Sequence, residues 1–348
     1  RGFSTIILLF GKDLRYGRVI IHITRGSAVK RFSNILLVVD ESSDYSAALK
    51  RGATLARNNQ ASLTACAIVD KTPSEVRMGA VKITPHEVLD FATAEKREWL
   101  EDTVNSSTTT GVSIDKKVLV GKPFIEIIRQ VLRNDHDLII KCADADSGLR
   151  EILFSSTDKH LMRKCPCPVW IVKPTERKKY LRILAAVDQD PEEPEKNALN
   201  RQILEMSTSM ALAEYSEAHI VHAWEVFGEG LLTSHKWDFS EAEFEAMLEE
   251  EAAERRCWLE DLVTTYGKFP GADAPDVHLH VVKGAAQYVV PKLARELAVD
   301  LVVMGTVART GIDGFFMGNT AESILGQLDC SVLTIKPPGF TSPVTLNG

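Results

Sequence analysis

The sequence predicts two tandem copies of one α/β domain, each with a parallel sheet covered by helices on both faces. Three observations predict this fold class. Several segments of the chain recur in the same order further along it. Within each copy, short apolar runs alternate with longer segments of helical spacing. The length of 348 residues also suffices for two domains of ordinary size.

The internal repeat is the strongest of these observations, because self-similarity at a fixed spacing marks duplicated units. The offset is 163 positions throughout the stretch from Gly121 to Pro174, so the two copies are collinear there. The matching segments are 35–40 and 183–188, 97–102 and 256–261, 137–140 and 300–303, and 167–174 and 330–337.

Strands and helices are predicted to alternate in both copies. Runs rich in Val and Ile suit strands that are buried on both faces. The predicted strands are 35–39, 63–69, 138–141 and 169–172, then 183–187, 218–224, 277–282, 301–304 and 332–336. The predicted helices are 44–58, 86–104 and 124–133, then 196–214, 240–265 and 286–298. This alternation implies parallel sheets with right-handed crossovers.

The domain boundaries follow from the repeat. We predict one domain over residues 31–175 and a second over 179–338, with a C-terminal tail at 339–348. Residues 1–30 are expected to lie outside the fold. The first 31 positions contain seven basic residues and one acidic residue. This composition is compatible with a targeting peptide and equally with a translation or cloning remnant. The short charged link between the domains predicts an intrachain pseudo-dimer, and a homodimer is also compatible.

Composition excludes several function classes. The apolar fraction of 45% and the charged fraction of 26% are typical of soluble globular proteins. A net charge of -7 argues against a general nucleic-acid binder. No apolar run approaches the roughly 18 residues of a membrane helix, so no membrane partner is expected. The six cysteines include no C-x-x-C pair and indicate reduced thiols in a cytoplasmic protein.

A glycine-rich loop follows the fourth predicted strand of the second copy. Gly305 closes that strand, and Gly318 precedes the next predicted helix. Parallel sheets bind ligands at the carboxyl ends of their strands, and backbone N–H groups at a helix start can hold phosphate. Asp188 follows the first strand of the same copy. A structural alternative is that Asn319 and Glu322 form a capping box and that the glycines serve a tight loop.

These segments resemble the universal stress protein family, and in particular its tandem, UspE-type members. Nucleotide-binding members carry Gly-x2-Gly-x9-Gly-Ser/Thr in this loop. Gly305 and Gly318 match the first and third glycines, whereas Ala308 and Asn319 replace the second glycine and the hydroxyl residue. The runs 305–312 and 316–322 carry the UspE-type likeness. The resemblance implies a Rossmann-like, adenine-nucleotide α-hydrolase-like fold of five strands in the order 3-2-1-4-5.

The resemblance further implies a cytoplasmic, non-enzymatic stress-response role, with ATP bound in the second domain only. No catalytic residue and no metal are implied. Residues at the ends of the first, second and fourth strands would contact the adenine and ribose, and the loop would contact the phosphates. The expected contact residues are Ala186, Val187, Asp188, Ala223, Met304, Gly305, Ala308, Gly318, Asn319 and Thr320.

The same loop has lost its motif in the first copy. Cys142, Ala145, Ser155 and Ser156 stand at the positions of Gly305, Ala308, Gly318 and Asn319. Residues 155–157 still suit a helix cap. Asp40 persists, although an Asp after a strand is more often a turn or cap residue. We therefore expect no ATP binding of the family type in the first domain.

Two other functions stay open. A slow ATPase or transferase would need a base, a metal ligand or an arginine near the phosphates, for which Arg309 and Asp313 are the candidates. A binding module for an apolar or amphiphilic ligand or a protein partner could use Phe154, Phe315, Phe316 and Met317, unless these side chains pack in the core. His278 and His280 share one face of a predicted strand, but a metal site would require a further ligand.

Overall fold

The structure is a computed structural model of the chain. The part of the chain that it describes is 6–8, 19–21, 32–41, 44–70, 84–107, 111–143, 154–174, 179–189, 194–226, 228–229, 240–267, 276–306 and 317–346. The chain divides into two compact units. The repeat-1 unit comprises 29–178, 306–317 and 329–348, and the repeat-2 unit comprises 1–28, 179–305 and 318–328.

The repeat-1 unit contains a sheet with the predicted strand order. Its strands are β3 (Asn34–Val38), β4 (Ser62–Val69), β5 (Ile114–Val120), β6 (Leu138–Cys142), β7 (Val169–Val172) and β12 (Ser331–Ile335). The order β5-β4-β3-β6-β7 is parallel throughout and is the predicted 3-2-1-4-5. β12 adds to β7 in the antiparallel direction, and Val332 pairs with Ile171.

The helices of this unit are α1 (Ser46–Asn59), α2 (Pro85–Ser106), α3 (Pro123–Asn134) and α4 (Ser156–Lys164). The apolar spacing of α3 explains its packing, because Phe124, Ile127, Ile128 and Val131 form one buried stripe. α2 and α4 begin with capping boxes, in which the cap hydroxyl and the acidic side chain three residues later satisfy each other's backbone N–H groups.

The repeat-2 unit repeats this plan over the first four strands, whereas the strand predicted at 332–336 is β12 of the repeat-1 unit. Its strands are β1 (Ile6–Leu8), β2 (Val19–Ile21), β8 (Arg182–Val187), β9 (Glu217–Trp224), β10 (Val277–Lys283) and β11 (Leu301–Gly305). Its helices are α5 (Pro194–Glu214), α6 (Glu241–Tyr266), α7 (Ala286–Glu296) and α8 (Asn319–Leu325). The order β10-β9-β8-β11 is parallel, whereas β1 and β2 pair antiparallel with each other. The predicted α/β fold is confirmed.

Burial explains which strands the sequence predicts well. The central strands β3, β6 and β11 are almost entirely buried, as their continuous apolar runs predict. β5 was not among the predicted strands. It lies at a sheet edge and exposes Asp115, Lys116 and Lys117, so it lacks the apolar run of a central strand. Among the described helices, none combines the length and apolar character that crossing a membrane requires.

Candidate functional site

The topological switch point of the repeat-2 sheet lies between β8 and β11. From β8 the chain proceeds to β9 on one side, and it later returns to β11 on the other side. Met304 near the end of β11 pairs in register with Ala186 near the end of β8. In open parallel sheets this divergence opens the crevice in which ligands bind. The expected strand-end residues of both strands are thus brought to one edge.

Asp188 directly follows β8, and the side chain of Asn200 fixes its backbone. The Asp188 N–H donates to Asn200 Oδ1 at 3.1 Å, and the Asp188 carbonyl accepts from Asn200 Nδ2 at 2.6 Å. Asn200 lies on α5 and is buried, whereas Asp188 is exposed. The arrangement presents a carboxylate from a rigid backbone. Sequence reasoning missed Asn200; its only signal was an amide within the apolar stripe of α5.

The part of the expected site that would contact adenine combines half-buried and buried residues. Ala186 and Ala223 are half-buried, and Val187 is buried. Next to Ala223, the Nδ1 of His222 lies 3.4 Å from the Val187 carbonyl, and its ring meets Trp258 edge-on at 5.1 Å. Burial lowers the pKa of His222. A neutral ring that donates from Nδ1 to Val187 therefore links β9 to β8 at this edge.

Gly305 at the end of β11 has a packing role. A Cβ at this position would lie 2.8 Å from Leu199 Cδ2 on α5, which is closer than real Cβ contacts allow. A larger residue would require Leu199 to move. Because the obstructing atom is the flexible end of the Leu199 side chain, packing favours a small residue at position 305 without requiring glycine.

The rest of the expected phosphate loop lies partly outside the described residues, including Ala308, Arg309 and Asp313. The loop is described again from Met317. Gly318 is the N-cap of α8, and Asn319 and Thr320 are exposed in its first turn. No side-chain hydrogen bond caps α8. The alternative of an Asn319–Glu322 capping box is wrong, because Asn319 is already the first helical residue.

The corresponding edge of the repeat-1 unit holds an ion pair. Lys141 Nζ lies 3.0 Å from Asp158 Oδ1, and the two side chains are 4% and 0% exposed. Lys141 also donates to the Cys142 carbonyl at 3.0 Å. Asp158 in turn accepts the Ser155 N–H at 3.0 Å, and Ser155 Oγ accepts the Asp158 N–H at 3.2 Å. The expected helix cap at Ser155 is confirmed, and the start of α4 already carries a carboxylate.

The 163-residue offset identifies the repeat-2 counterparts of this pair as Met304 and Ala321. Both counterparts are buried and neither is charged.

The aromatic and apolar residues near the two loops were expected either to bind a ligand or partner or to pack in the core. Phe154 and Met317 are buried, as the core-packing alternative holds, while Phe315 and Phe316 lie outside the described residues.

Three histidines meet on one face of β9 and β10. His278 pairs in register with His219, and their rings stack with centroids 4.6 Å apart. His219 Nδ1 lies 3.0 Å from His280 Nε2. All three histidines are buried. Burial lowers the pKa of His219 to about 4 and that of His280 to about 3, so both rings are neutral at neutral pH.

Glu217 completes this cluster at the amino end of β9. Its Oε2 lies 3.4 Å from His219 Nε2 and 2.9 Å from Arg182 Nε. Glu217, His219 and His278 offer ligand atoms that all lie within 4.8 Å of one another. The further ligand that the sequence did not supply for His278 therefore comes from the neighbouring strand.

Comparisons with known proteins agree with this architecture. The model of the universal stress protein family matches residues 31–173 and again 179–336. Universal stress protein E of Escherichia coli K12 is 32% identical over 91% of this chain and 98% of that protein. The universal stress protein E homologue of Haemophilus influenzae is 27% identical over 88% of this chain and 98% of that protein.

Two solved structures share the fold along most of the chain. A chain from Pseudomonas aeruginosa described as a universal stress protein is 25% identical, with a TM-score of 0.63 over 88% of this chain and 94% of that chain. A universal stress protein from Archaeoglobus fulgidus is 16% identical, with a TM-score of 0.55 over 89% of this chain and 98% of that chain. The chain belongs to the universal stress protein family, with two copies of the family domain in tandem.

Proposed function

We propose that this protein is a non-enzymatic stress-response protein that binds an adenine nucleotide, ATP in the first instance, in its second domain (179–338). The first domain (31–175) does not bind ATP in the family manner. The observation that supports this asymmetry is the contrast between the two strand-4 edges. One edge holds the buried pair Lys141–Asp158, and the other holds the uncharged Met304 and Ala321.

The chemistry of the repeat-2 edge suits a nucleoside. The Asp188 carboxylate can accept hydrogen bonds from ribose hydroxyls. Asn200 holds the backbone of Asp188 in place, and Asp188 is exposed to solvent. Ala186, Val187 and Ala223 offer small apolar surfaces to a base. At its third position α8 carries the uncharged Ala321 where α4 carries the buried Asp158, and the first-turn acid of α8 is the exposed Glu322 at the next position.

A binding role fits this edge better than catalysis. Of the expected contact residues that the structure describes, Asp188 alone carries a group that could act as a general base. The backbone amides of Gly318, Asn319 and Thr320 complete the set on the phosphate side. Cytoplasmic location and pairing of the two domains within one chain stay predictions.

Calorimetric titration of the full chain with ATP tests the proposal. We expect one site per chain, and about 10- to 150-fold weaker binding for Asp188→Ala, since a hydrogen bond to a charged group contributes about 1.5–3 kcal/mol. Asp40→Ala is the matched control, because Asp40 occupies the same place in the first repeat and should leave the affinity unchanged. A lack of saturable binding at millimolar ATP, or equal losses in both variants, would contradict the proposal.

Two measurements on the same preparation separate the alternatives. Native mass spectrometry of freshly purified protein reveals a co-purified ligand, and an apolar or amphiphilic mass in place of a nucleotide would favour the binding-module hypothesis. Phosphate release from ATP measures turnover. Saturable binding without turnover supports the proposal, whereas turnover that Asp188→Ala abolishes would assign the protein to the ATPases.

A further inference from the structure

The amino edge of the repeat-2 sheet carries a group of residues that the nucleotide proposal does not use. Glu217 is the first residue of β9, and Ala223 lies near the other end of the same strand. At about 3.3 Å per residue, the two edges are roughly 20 Å apart. Any ligand of the Glu217 edge is thus separate from a nucleotide at the carboxyl edge.

We propose that Glu217, His219 and His278 form a binding site for a divalent transition metal, with zinc as the fitting ion. Two histidines and one glutamate make up a known zinc ligand set, in which a water takes the fourth position. His219 Nε2 and Glu217 Oε2 are 3.4 Å apart. That separation is close to the roughly 3.4 Å expected between two ligands bound at about 2.0–2.1 Å to one tetrahedral zinc. The three ligand atoms lie within 4.8 Å of one another, and the rings of His219 and His278 are stacked at an angle of 18°, so metal binding requires the His278 ring to turn towards the other two ligands.

The surroundings of His219 orient it for this task. A metal-binding histidine usually donates its other ring N–H to a neighbouring acceptor, which fixes the tautomer. His219 Nδ1 lies 3.0 Å from His280 Nε2, so a proton on Nδ1 can be donated there. The lone pair of His219 Nε2 is then directed towards Glu217. His280 therefore acts as a positioning residue rather than as a ligand.

Arg182 holds the carboxylate ligand in place. Its Nε lies 2.9 Å from Glu217 Oε2, and its Nη1 donates to the Leu297 carbonyl at 3.0 Å. Ligating carboxylates are commonly hydrogen-bonded in this way. A simple Arg182–Glu217 ion pair is the competing explanation. It accounts for the glutamate but gives no reason for the buried histidines of β9 and β10.

Burial and access both suit a metal. His219 and His278 are 4% and 5% exposed, and burial favours the neutral imidazole that binds metal. The Glu217 side chain is 40% exposed, so an ion can reach the cluster from solvent. The three residues lie on two adjacent, hydrogen-bonded strands, which fix the ligand positions more firmly than loops do.

Zinc titration of the untagged, chelator-treated full chain tests the site, with a chromophoric chelator as competitor. We expect one equivalent of zinc to bind. His219→Gln and His278→Gln should each weaken binding by more than about 100-fold, while His280→Gln should weaken it about 10–100-fold, because His280 accepts the hydrogen bond that orients His219. His86→Gln is the matched control: His86 pairs with Asp90 at 2.8 Å on the exposed surface of α2, and its loss should leave the affinity unchanged.

X-ray absorption of the zinc-loaded chain identifies the ligand atoms. A shell of nitrogen and oxygen alone supports the site. A sulfur shell would place the zinc at cysteines such as Cys165 and Cys167, whose Sγ atoms are 3.4 Å apart, and would overturn the proposal. So would the lack of one-equivalent binding, or wild-type affinity in both His219→Gln and His278→Gln.

Circular dichroism of the metal-free variants checks that they fold. If the buried histidine variants do not fold, Glu217→Gln decides the question, because its side chain is partly exposed and its amide oxygen keeps a hydrogen bond to Arg182. Zinc binding that is about tenfold weaker or more supports the site, and unchanged binding overturns it. Neither result bears on ATP binding at the opposite edge.

Discussion

The two repeats end their fourth strand in different ways. In the repeat-1 unit, Lys141 at the end of β6 reaches Asp158 in the first turn of α4 and buries both charges. In the repeat-2 unit, the corresponding Met304 and Ala321 are buried and uncharged. The first repeat thus differs from the second in carrying these two charges as well as in lacking the glycines. An anion of its own occupies the helix start at which nucleotide-binding relatives are expected to hold phosphate.

The largest expected effect comes from breaking the repeat-1 pair. Lys141→Met removes the ammonium that lies 3.0 Å from the fully buried Asp158 carboxylate, and removing one partner of a buried pair costs about 3–5 kcal/mol. We expect a correspondingly lower free energy of unfolding in urea, monitored by circular dichroism.

The second repeat provides the matched control for this variant. Lys141→Met combined with Asp158→Ala installs the residues that β11 and α8 carry, and replacing both charges by apolar groups is often close to neutral. The double variant should therefore recover most of the lost stability. A single variant as stable as the natural chain, or a double variant no better than the single one, would contradict the structural role of the pair.

The reverse exchange introduces the repeat-1 acid at the proposed nucleotide site. Ala321→Asp places a carboxylate in the first turn of α8, as Asp158 does in α4. Like charges within a few ångströms repel, so ATP affinity should fall about tenfold or more, or at least about 1.4 kcal/mol. Calorimetry with ATP measures the loss. Ala321→Ser serves as the neutral control, and equal affinities in the two variants would show that phosphate does not approach this turn.

The two repeats also differ at the lysine of their final Lys-Pro pair, which is Lys173 in the first and Lys336 in the second. Lys336 is buried, and its Nζ donates to the Met162 carbonyl at 2.6 Å and also to Thr306 Oγ1. Burial lowers the pKa of Lys336 from 10.5 to about 7. The equivalent Lys173 has an exposed ammonium that donates to the Asp329 carbonyl.

The sign of the pH dependence follows from this shift. Between pH 7 and 10 the unfolded chain keeps a proton on Lys336 that the folded chain has lost, so the contribution of Lys336 to the free energy of unfolding rises with pH by at most about 1.4 kcal/mol per pH unit. Burial raises the pKa of Cys66 to about 12, and this thiol contributes with the opposite sign towards pH 10. The slope of the free energy of unfolding against pH, measured in urea between about pH 7 and 10, should therefore be more positive in the natural chain and in Lys173→Met than in Lys336→Met. An equal slope in all three would show that Lys336 stays protonated.

Much of the architecture follows from the sequence, because buried parallel strands leave continuous apolar runs and because the duplication repeats them. β3, β6 and β11 illustrate this. Edge strand β5 escaped prediction because its outward residues are charged. Cross-strand partners escaped as well. His219 and His280 are 61 residues apart, and only the register of β9 against β10 brings their rings together.

The site is less predictable than the fold for the same reason. The offset places Lys141 opposite Met304 and Asp158 opposite Ala321, but it does not reveal that the two charges meet. Nor does it show that the Asn200 amide clamps the backbone of Asp188. Contacts of this kind depend on how a helix packs over a strand end, which local sequence patterns do not encode.

The smallest expected effect lies in the helix caps themselves. Ser155→Ala removes a capping hydroxyl that accepts the Asp158 N–H, and it should lower the free energy of unfolding by about 1 kcal/mol. Gly318→Ser introduces a hydroxyl at the uncapped start of α8. Gly318 has φ -63° and ψ 142°, which serine adopts without strain, so we expect a gain of a few tenths of a kcal/mol, roughly. Urea unfolding measures both changes. If Gly318→Ser lowered the free energy of unfolding as much as Ser155→Ala does, another group would have to approach Gly318 too closely to allow a side chain. The starts of α4 and α8 would then differ in the room they leave for a side chain as well as in charge.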